Sequence, residues 1–517
     1  MKIVISHKAT DFHALARAAE AHNSSGDLVE LRLDGMPPPR EGELRSLIRR
    51  LGKPVIVACH GPEAFGDFQG NDAERLELLR MGARAGAAFV DVNLRLASAL
   101  GNLPLSCRCI VSHHEPERMP EDLRQLLLDL RLMAGEHGLV KLVAHANSAE
   151  DGLRLLATLR EANGARIGFC TGEAGRFTRI LCGLHGSEWT YCVPPALPGA
   201  EAPAPTGPGQ FTPDELRVQL PAGGLSDNTR VFGVVGNPIK HSWSPRLHTL
   251  ALRRLGADAV YVPFEVRDML KFLEQLAYPN YEGFSIAAPH KEPSFQTRAA
   301  PDETVQRMRA VNTLVRLEGI WHARNTDVFG VREVLRRAFG RMAVDRPLGG
   351  LRVLVLGSGG AARAAVEAVS SAGGSAFVAA RNLERSTELA RELGARAVAL
   401  EQIAGLQWDG LVHCTPQGSL ADPGKLPIEA KLLRPGAVVV DSVYRPRETP
   451  LMKVARERGC QVFGGGEWFV LQAAQQFALF TGPGIDGKPR FGRTLGMAEV
   501  EKLFRDTLVK LYAEAGE

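Results

Sequence analysis

The chain lacks most of the features that would assign it to a specialised class at once. No C-x-x-C pair occurs, and the eight cysteines, at 59, 107, 109, 170, 182, 192, 414 and 460, are scattered apart from Cys107 and Cys109. That spacing argues against a zinc site or a disulfide framework, so no metal is expected, and it favours reduced thiols in a cytoplasm. No apolar run reaches the roughly 18 residues needed to span a membrane. The amino terminus, MKIVISHKATDFH, lacks the apolar core of a signal peptide and the bias of a transit peptide. Charge of one sign is also missing. A net charge of +4, with Lys and Arg spread through helical stretches, describes solvated faces and not a nucleic-acid stripe. What the chain does have is length, since 517 residues exceed a single domain and predict about two to four.

Residues 1–215 repeat one unit. The segments KIVISH, LVELRLD, PVIVACH, FVDVNL, RCIVSHH, LVKLVAH, RIGFCTG and WTYCV are short, apolar and rich in β-branched residues. They alternate with amphipathic stretches such as PEDLRQLLLDLRLMAGEHG and AEDGLRLLATLREAN, a pattern that predicts a (β/α)8 barrel. Polar residues collect in or at the carboxyl ends of these strands, the face on which such barrels do chemistry: Glu30, Arg32, His60, Asn93, His114 and Lys141. Lys141 stands alone in the apolar strand at 139–146. Taken by itself it reads as a lysine that snorkels to the surface. In this company it reads as an amine nucleophile, since a buried lysine is expected to lose its proton easily.

Residues 194–229 are rich in Pro, Gly and Ala and combine a closing loop with a linker at 216–229. Beyond it lies a second motif. VLVLGSGGAAR, residues 353–363, runs a buried strand into Gly357, Gly359, Gly360, Ala361 and Ala362 and then a helix. The G-x-G-x-x-A spacing lets backbone meet a pyrophosphate at a helix amino terminus. The next strand, SAFVAAR, ends in Arg381, and Arg385 follows. An acid there would grip the 2′-hydroxyl of NAD, whereas arginine suits the 2′-phosphate, so the expected cofactor is NADP(H).

The residues of the first half resemble type I 3-dehydroquinate dehydratase. The E-x-R-x-D pattern is present as Glu30, Arg32 and Asp34; S-x-H as Ser112 and His114; the strand-six lysine as Lys141; G-x-x-[ST]-R as Gly175, Thr178 and Arg179; and P-G-Q as Pro208, Gly209 and Gln210. The resemblance implies a covalent Schiff base between Lys141 and the C3 ketone of 3-dehydroquinate, a better electron sink than the carbonyl. It implies that His114 takes the C2 proton and hands one to the departing hydroxyl, a role suited to a group titrating near neutrality. Glu30 would fix its neighbours' protonation, Arg179 would clamp the carboxylate, and Arg32, His60, Thr206 and Gln210 would complete the substrate site. Two positions depart from the family pattern: His60 stands for the usual arginine and Ala64 for the usual glutamate, with Glu63 one residue early. Such losses would slow a dehydratase without changing its mechanism.

The second half resembles shikimate dehydrogenase. Its marks are GVVGNPIKHSWSPRLH at 233–248, PHK at Pro289 to Lys291, AVNT with Asn312, NTD with Asp327, CTPQG with Thr415 and Gly418, DSVYRP with Tyr444, and GGEWFVLQ ending in Gln472. The resemblance implies hydride transfer from NADPH to the C3 ketone of 3-dehydroshikimate, with Lys291, paired to Asp327, supplying or relaying the proton. Ser242, Ser244, Asn312, Tyr444 and Gln472 would bind the substrate, and Thr415 and Gly465 would join the glycine-rich loop at the cofactor. Ser285, Ala287 and Ser419 depart from common family residues.

The expected fold is thus α/β: a (β/α)8 barrel fused to a two-lobe α/β dehydrogenase with a Rossmann nucleotide-binding domain. The substrate lobe is expected at 230–335, the nucleotide lobe at 336–466, and C-terminal helices at 467–517 returning to the substrate lobe. This order resembles that of bifunctional dehydratase–dehydrogenases, in which the first product is the second substrate. The expected partners are small molecules, with no nucleic acid and no membrane. Two other readings share the motifs: an active dehydrogenase carrying an inert barrel, and a metabolite-sensing regulator.

Overall fold

In a computed structural model, which describes residues 1–196, 203–276, 278–340, 348–484 and 487–517, the chain divides into two compact units. One comprises Met1–Thr229 with Asp258–Ala277, the other Arg230–Ala257 with Tyr278–Glu517.

The first unit is built on eight parallel strands: β1 (Lys2–Lys8), β2 (Leu28–Arg32), β3 (Val55–Ala58), β4 (Phe89–Asn93), β5 (Arg108–Glu115), β6 (Leu139–His145), β7 (Arg166–Thr171) and β8 (Trp189–Cys192). Their order is β7-β6-β5-β4-β3-β2-β1-β8, and a bridge between Arg166 and Ser187 nearly closes the barrel. Leu28, Ile56, Ile110, Leu139, Val143, Ile167, Phe169 and Tyr191 form its inner core. Strand alternation then aims the polar residues. Leu139 and Val143 face inward, so Lys141 between them does too. The same step carries Leu28 to Glu30, and Ile110 to Ser112 and His114. The segment Asp258–Ala277 is held in this unit by Phe264, 4.8 Å from Phe177, and by Glu150, which accepts from the backbone N–H groups of Arg267 and Asp268 at 3.0 and 2.8 Å.

In the second unit, β9 (Arg230–Gly236), β11 (Tyr281–Ile286), β13 (Thr313–Leu317), β14 (Ile320–Arg324) and β12 (Ala300–Pro301) lie side by side in that order; β10 (Ala259–Glu265) belongs to the segment grouped with the barrel. A separate parallel sheet contains β15 (Arg352–Leu356), β16 (Ser375–Ala379), β17 (Arg396–Ala397), β18 (Gly410–His413), β19 (Val438–Asp441) and β20 (Gln461–Phe463). Its order, β17-β16-β15-β18-β19-β20, is that of a doubly wound nucleotide fold, and the order reverses between β15 and β18. Val353 and Val355 pack on one side of this sheet, Leu354 and Leu356 on the other, so helices cover both faces of the strand. Helix Gly465–Thr481 packs on helix Asp327–Ala338 and against β11 and β13, and helix Met497–Glu514 packs on Ser244–Leu255. Among the described residues no helix is long and apolar enough to cross a membrane.

Candidate functional site

At the carboxyl end of the barrel, Glu30, Arg32, His60, His114, Lys141, Arg179, Thr206 and Gln210 line one cavity of about 40 Å³. Lys141 Nζ donates to Asp91 Oδ2 at 2.8 Å, lies 3.9 Å from Glu30 Oε1, and sits 4.4 Å from the centre of the Tyr191 ring. The expectation that burial would lower this lysine does not hold. Burial pulls it down, but Asp91, Tyr191 and Glu30 together outweigh that pull and raise it above the ordinary lysine value. Burial dominates at Glu30, whose carboxyl is pushed above its usual range despite Lys141, Arg32 and a hydrogen bond from the Ser6 hydroxyl.

Ser6 Oγ in turn accepts from Thr206 Oγ1 at 2.8 Å, and Gln210 Nε2 donates to Thr206 Oγ1 at 3.0 Å, so the Pro-Gly-Gln segment is tied to the floor of the site. Arg32 is fixed by two bonds to Asp34, at 2.6 and 2.9 Å, and it holds that carboxyl below its usual range although burial acts the other way. Arg179 lies 4.3 Å from the centre of the Phe169 ring and donates to the Pro208 carbonyl at 2.9 Å. Its Nε and Nη1 have no hydrogen-bond partner among the described residues, and burial pulls it down to about 10; both facts suit an arginine waiting for an anion.

His60 and His114 meet edge to face at 5.1 Å. Burial holds both well below the ordinary imidazole value, helped at His114 by Lys141 and at His60 by Arg32. His114 therefore rests as a neutral base and does not titrate near neutrality as expected.

Sequence reasoning missed Asp91, Ser6 and Tyr191. The signal for Asp91 was available: a lone carboxylate inside FVDVN, on the same alternation that aims Glu30 inward. Asn93, read at this face, instead accepts from the backbone N–H of Arg95 at 3.0 Å and caps a short helix. Glu63 does not replace the carboxylate missing at Ala64, because it is bound by Arg75 Nη1 at 2.7 Å.

The second unit holds a cleft of about 1110 Å³. Ser242, Ser244, Lys291, Asn312, Asp327, Tyr444, Gly465, Gln472, Gly359, Gly360, Ala361 and Arg385 line it, while Gly357, Ala362, Arg381 and Thr415 do not. Lys291 Nζ donates to Asp327 Oδ2 at 2.5 Å. Asn312 binds both the N-T-D turn and the C-terminal helix: its Oδ1 accepts from Thr326 N at 2.7 Å, and its Nδ2 donates to Thr326 Oγ1 at 2.9 Å and Gln472 Oε1 at 3.4 Å. Gln476, one turn beyond Gln472 and missed by the sequence reading, accepts from Ser285 Oγ at 2.8 Å. Tyr444 stacks on Phe469 at 4.5 Å.

The glycine-rich turn fits a dinucleotide. Gly357 has φ +123°, and a β-carbon there would lie 2.9 Å from the Cys414 carbonyl oxygen, across the point where the strand order reverses. A β-carbon at Gly359 would meet nothing within 4 Å, which leaves that backbone open to a ligand, and one at Gly360 would crowd the Lys291 stem at 3.1 Å. Arg385 pairs with Glu292 at 3.3 Å, and Arg381 is exposed. The Thr415 hydroxyl is engaged by His413 Nε2 at 2.5 Å, and His413 Nδ1 meets Asp441 Oδ1 at 2.9 Å, so Thr415 braces the turn after β18 from within.

Comparison with known proteins matches each half of the chain to a family. Residues 3–226 match the family model for type I 3-dehydroquinase, and residues 234–314 match that for the shikimate dehydrogenase substrate binding domain. A bifunctional 3-dehydroquinate dehydratase/shikimate dehydrogenase of Arabidopsis thaliana, a chloroplastic protein, is 31% identical over 485 residues, covering 90% of this chain and 79% of the relative. An NADP(+) shikimate dehydrogenase of Shouchella clausii is 34% identical over 261 residues, covering 49% of this chain and 94% of the relative. A crystal structure of the Thermus thermophilus shikimate 5-dehydrogenase with NADP(H) and shikimate is 32% identical and covers 54% of this chain and 99% of its own, with a TM-score of 0.46. With both halves matched in one order along nearly the whole length, the chain belongs to the bifunctional 3-dehydroquinate dehydratase/shikimate dehydrogenase family.

Proposed function

We propose that the chain dehydrates 3-dehydroquinate to 3-dehydroshikimate in the barrel, through a Schiff base on Lys141, and reduces the product to shikimate with NADPH in the second unit. The observation that carries the first step is the placement of Lys141 Nζ, buried between Asp91 and Glu30 at the carboxyl end of a parallel barrel. An imine there withdraws electrons from C2, and His114, resting neutral, accepts the C2 proton and returns one to the leaving hydroxyl. The unpaired nitrogens of Arg179 receive the carboxylate, with Arg32, His60, Thr206 and Gln210 around the ring.

In the second unit, Lys291 holds the proton for the new alkoxide and Asp327 holds Lys291. Ser242, Ser244, Asn312, Tyr444 and Gln472 orient the substrate. Gly359, Gly360 and Ala361, which line the cleft, carry the pyrophosphate, with Gly357 and Ala362 buried in the same turn; Arg381 and Arg385 take the 2′-phosphate, and Thr415 and Gly465 frame the turn beside it. NADPH supplies the hydride. The domain boundaries proposed are 1–215 for the barrel, 230–335 for the substrate lobe, 336–466 for the nucleotide lobe and 467–517 for the helices bearing Gln472. A cytoplasmic location belongs to the same reading and is supported by eight free cysteines.

A second reading keeps the dehydrogenase and makes the barrel inert. The small cavity beneath the Thr206–Gln210 segment and the missing carboxylate at Ala64 favour it. One experiment separates the two. The purified chain is mixed with 3-dehydroquinate without nucleotide, the conjugated enone absorbance is followed, and NADPH is then added. Enone growth followed by NADPH consumption supports both activities; NADPH oxidation on supplied 3-dehydroshikimate without enone growth supports the inert barrel.

A further inference from the structure

Three donor groups, from the middle of β2, the middle of β4 and just past the end of β3, converge inside the barrel, although no sequence spacing announces them. Glu30, His60 and Asp91 are 2%, 1% and 0% exposed, and one ligand atom from each lies within 4.8 Å of the others. His60 Nε2 lies 3.8 Å from Asp91 Oδ2; Lys141 Nζ lies 2.8 Å from that same oxygen and 3.9 Å from Glu30 Oε1. Donors about 2.1 Å from a tetrahedral Zn²⁺ stand about 3.4 Å apart, so these edges bracket a tetrahedron. Among the described residues Glu30 Oε1, Asp91 Oδ1 and both ring nitrogens of His60 lack a hydrogen-bond partner. Buried polar atoms left in that state are costly unless a ligand completes them. The adjacent cation is already neutralised, because Arg32 is bound twice by Asp34, at 2.6 and 2.9 Å. The residue at 60 decides the matter chemically: an arginine would put a fixed positive charge against the ion, whereas an imidazole is a ligand.

We propose that Glu30, His60 and Asp91, with Lys141 as fourth donor, form a site for a divalent transition metal of the Zn²⁺ class, and that its occupancy switches off the barrel's chemistry. On binding, the metal gains bonds to one oxygen of each carboxylate, to the imidazole and to Nζ, and the Lys141 ammonium releases one proton to solvent. The amine lone pair is then committed to the metal and cannot attack a carbonyl carbon. The switching rests on the dehydratase reading above; the binding does not.

The test uses the full chain and Zn²⁺ alone. Wild type, His60→Arg and His60→Gln are titrated with Zn²⁺ against a chromophoric chelator, and each is incubated with 3-dehydroquinate and borohydride to fix the lysine adduct for intact-mass measurement. The expected result is one Zn²⁺ bound by wild type that both variants bind more weakly by at least the roughly 10–100-fold typical of losing an outer-shell partner alone. Zn²⁺ is also expected to suppress the wild-type adduct over the same concentration range. Equal Zn²⁺ uptake by all three proteins overturns the site, and an undiminished adduct at saturating Zn²⁺ overturns the switching. Should His60→Arg fail to fold, the neutral His60→Gln decides the binding. If wild type takes up Zn²⁺ through His60 yet forms no adduct in metal-free buffer, the site stands and the dehydratase reading fails.

Discussion

Lys141 Nζ lies 2.8 Å from Asp91 Oδ2, and this contact, not burial, decides the charge of the lysine. A bare amine in the barrel core would be neutral; paired to a carboxylate that is 0% exposed, it rests as an ammonium. In the Schiff-base mechanism proposed above, attack on a ketone would therefore begin with a proton transfer. Glu30 is placed for it, 3.9 Å away and with its carboxyl pushed above the usual range by burial. On that proposal the nucleophile would be stored in its protonated form and released by a neighbouring carboxylate.

Lys141→Ala is expected to lower turnover of 3-dehydroquinate by about 10³-fold or more and to remove the borohydride-fixed adduct, because no other residue at that position can form the imine. It also leaves two buried carboxylates without their cation, at a cost of about 3–5 kcal/mol that a thermal melt of the barrel will register. Reduction of supplied 3-dehydroshikimate should persist. Unchanged dehydration by this variant would overturn the Schiff-base assignment.

The pH dependence of barrel stability follows from its buried imidazoles. His7, His60 and His114 all have folded values below 6.5, chiefly through burial, with His7 lowered to about 3. The unfolded chain takes up protons that the fold refuses, so their contribution is complete above about pH 6.5 and is lost as pH falls toward the folded values. Well below pH 6.5 each such group costs up to about 1.4 kcal/mol per pH unit. Lys141 works at the opposite end: its raised value stabilises the fold below the ordinary lysine range, and that contribution is lost as pH rises past the folded value. Calorimetry between pH 7 and pH 5 should show the barrel transition falling more steeply than that of the second unit, where His248 is the deeply buried counterpart. A barrel transition that does not move over this range would contradict the buried neutral state.

The alternation that made the barrel strands legible also made Glu30, His114 and Lys141 legible, because a polar residue on an inward-facing position is visible in one line of sequence. The same rule could have found Asp91. What it could not supply was the sign of the lysine's shift, since Asp91 and Lys141 are fifty residues apart and meet only when β4 and β6 flank β5. Asn93 shows the complementary error: a polar residue at a strand end was read as a site residue, yet its carbonyl was taken by a local cap. In the second unit the glycine spacing gave the turn, but Gln476 was hidden because a glutamine on a buried helix looks like any other until Ser285 arrives from β11.

Lys291→Ala is expected to reduce kcat for 3-dehydroshikimate by about 10²–10⁴-fold, the range for loss of a positioned acid–base group, with little change in KM for NADPH. The separation follows from the geometry: Lys291 is held through Nζ by Asp327, and only its stem approaches the glycine-rich loop, near Gly360. Alanine keeps the β-carbon that packs there. Steady-state kinetics with each substrate varied in turn will distinguish the outcomes, and equal losses in kcat and cofactor affinity would show that Lys291 is not the proton donor.

The two arginines after β16 are not equivalent, and cofactor preference should expose the difference. Arg385 is partnered at 3.3 Å by Glu292, an exposed pair of the kind worth about 0–1 kcal/mol, so it can yield to a phosphate at small cost. Arg381 is exposed, at the end of the strand where the ribose is expected. Arg381→Ala should remove a charge-assisted hydrogen bond worth about 1.5–3 kcal/mol, a rise of about 10–100-fold in KM for NADPH, and leave KM for NADH nearly unchanged, because NADH has no 2′-phosphate to lose. Arg385→Ala should do at least as much, since the same change frees Glu292, whose carboxylate then repels the phosphate without a counter-ion to hold it. Paired KM measurements with NADPH and NADH on both variants decide the assignment. If Arg381→Ala weakens the two nucleotides equally, the residue supports the turn and not the phosphate, and the preference for NADP must lie with Arg385 alone.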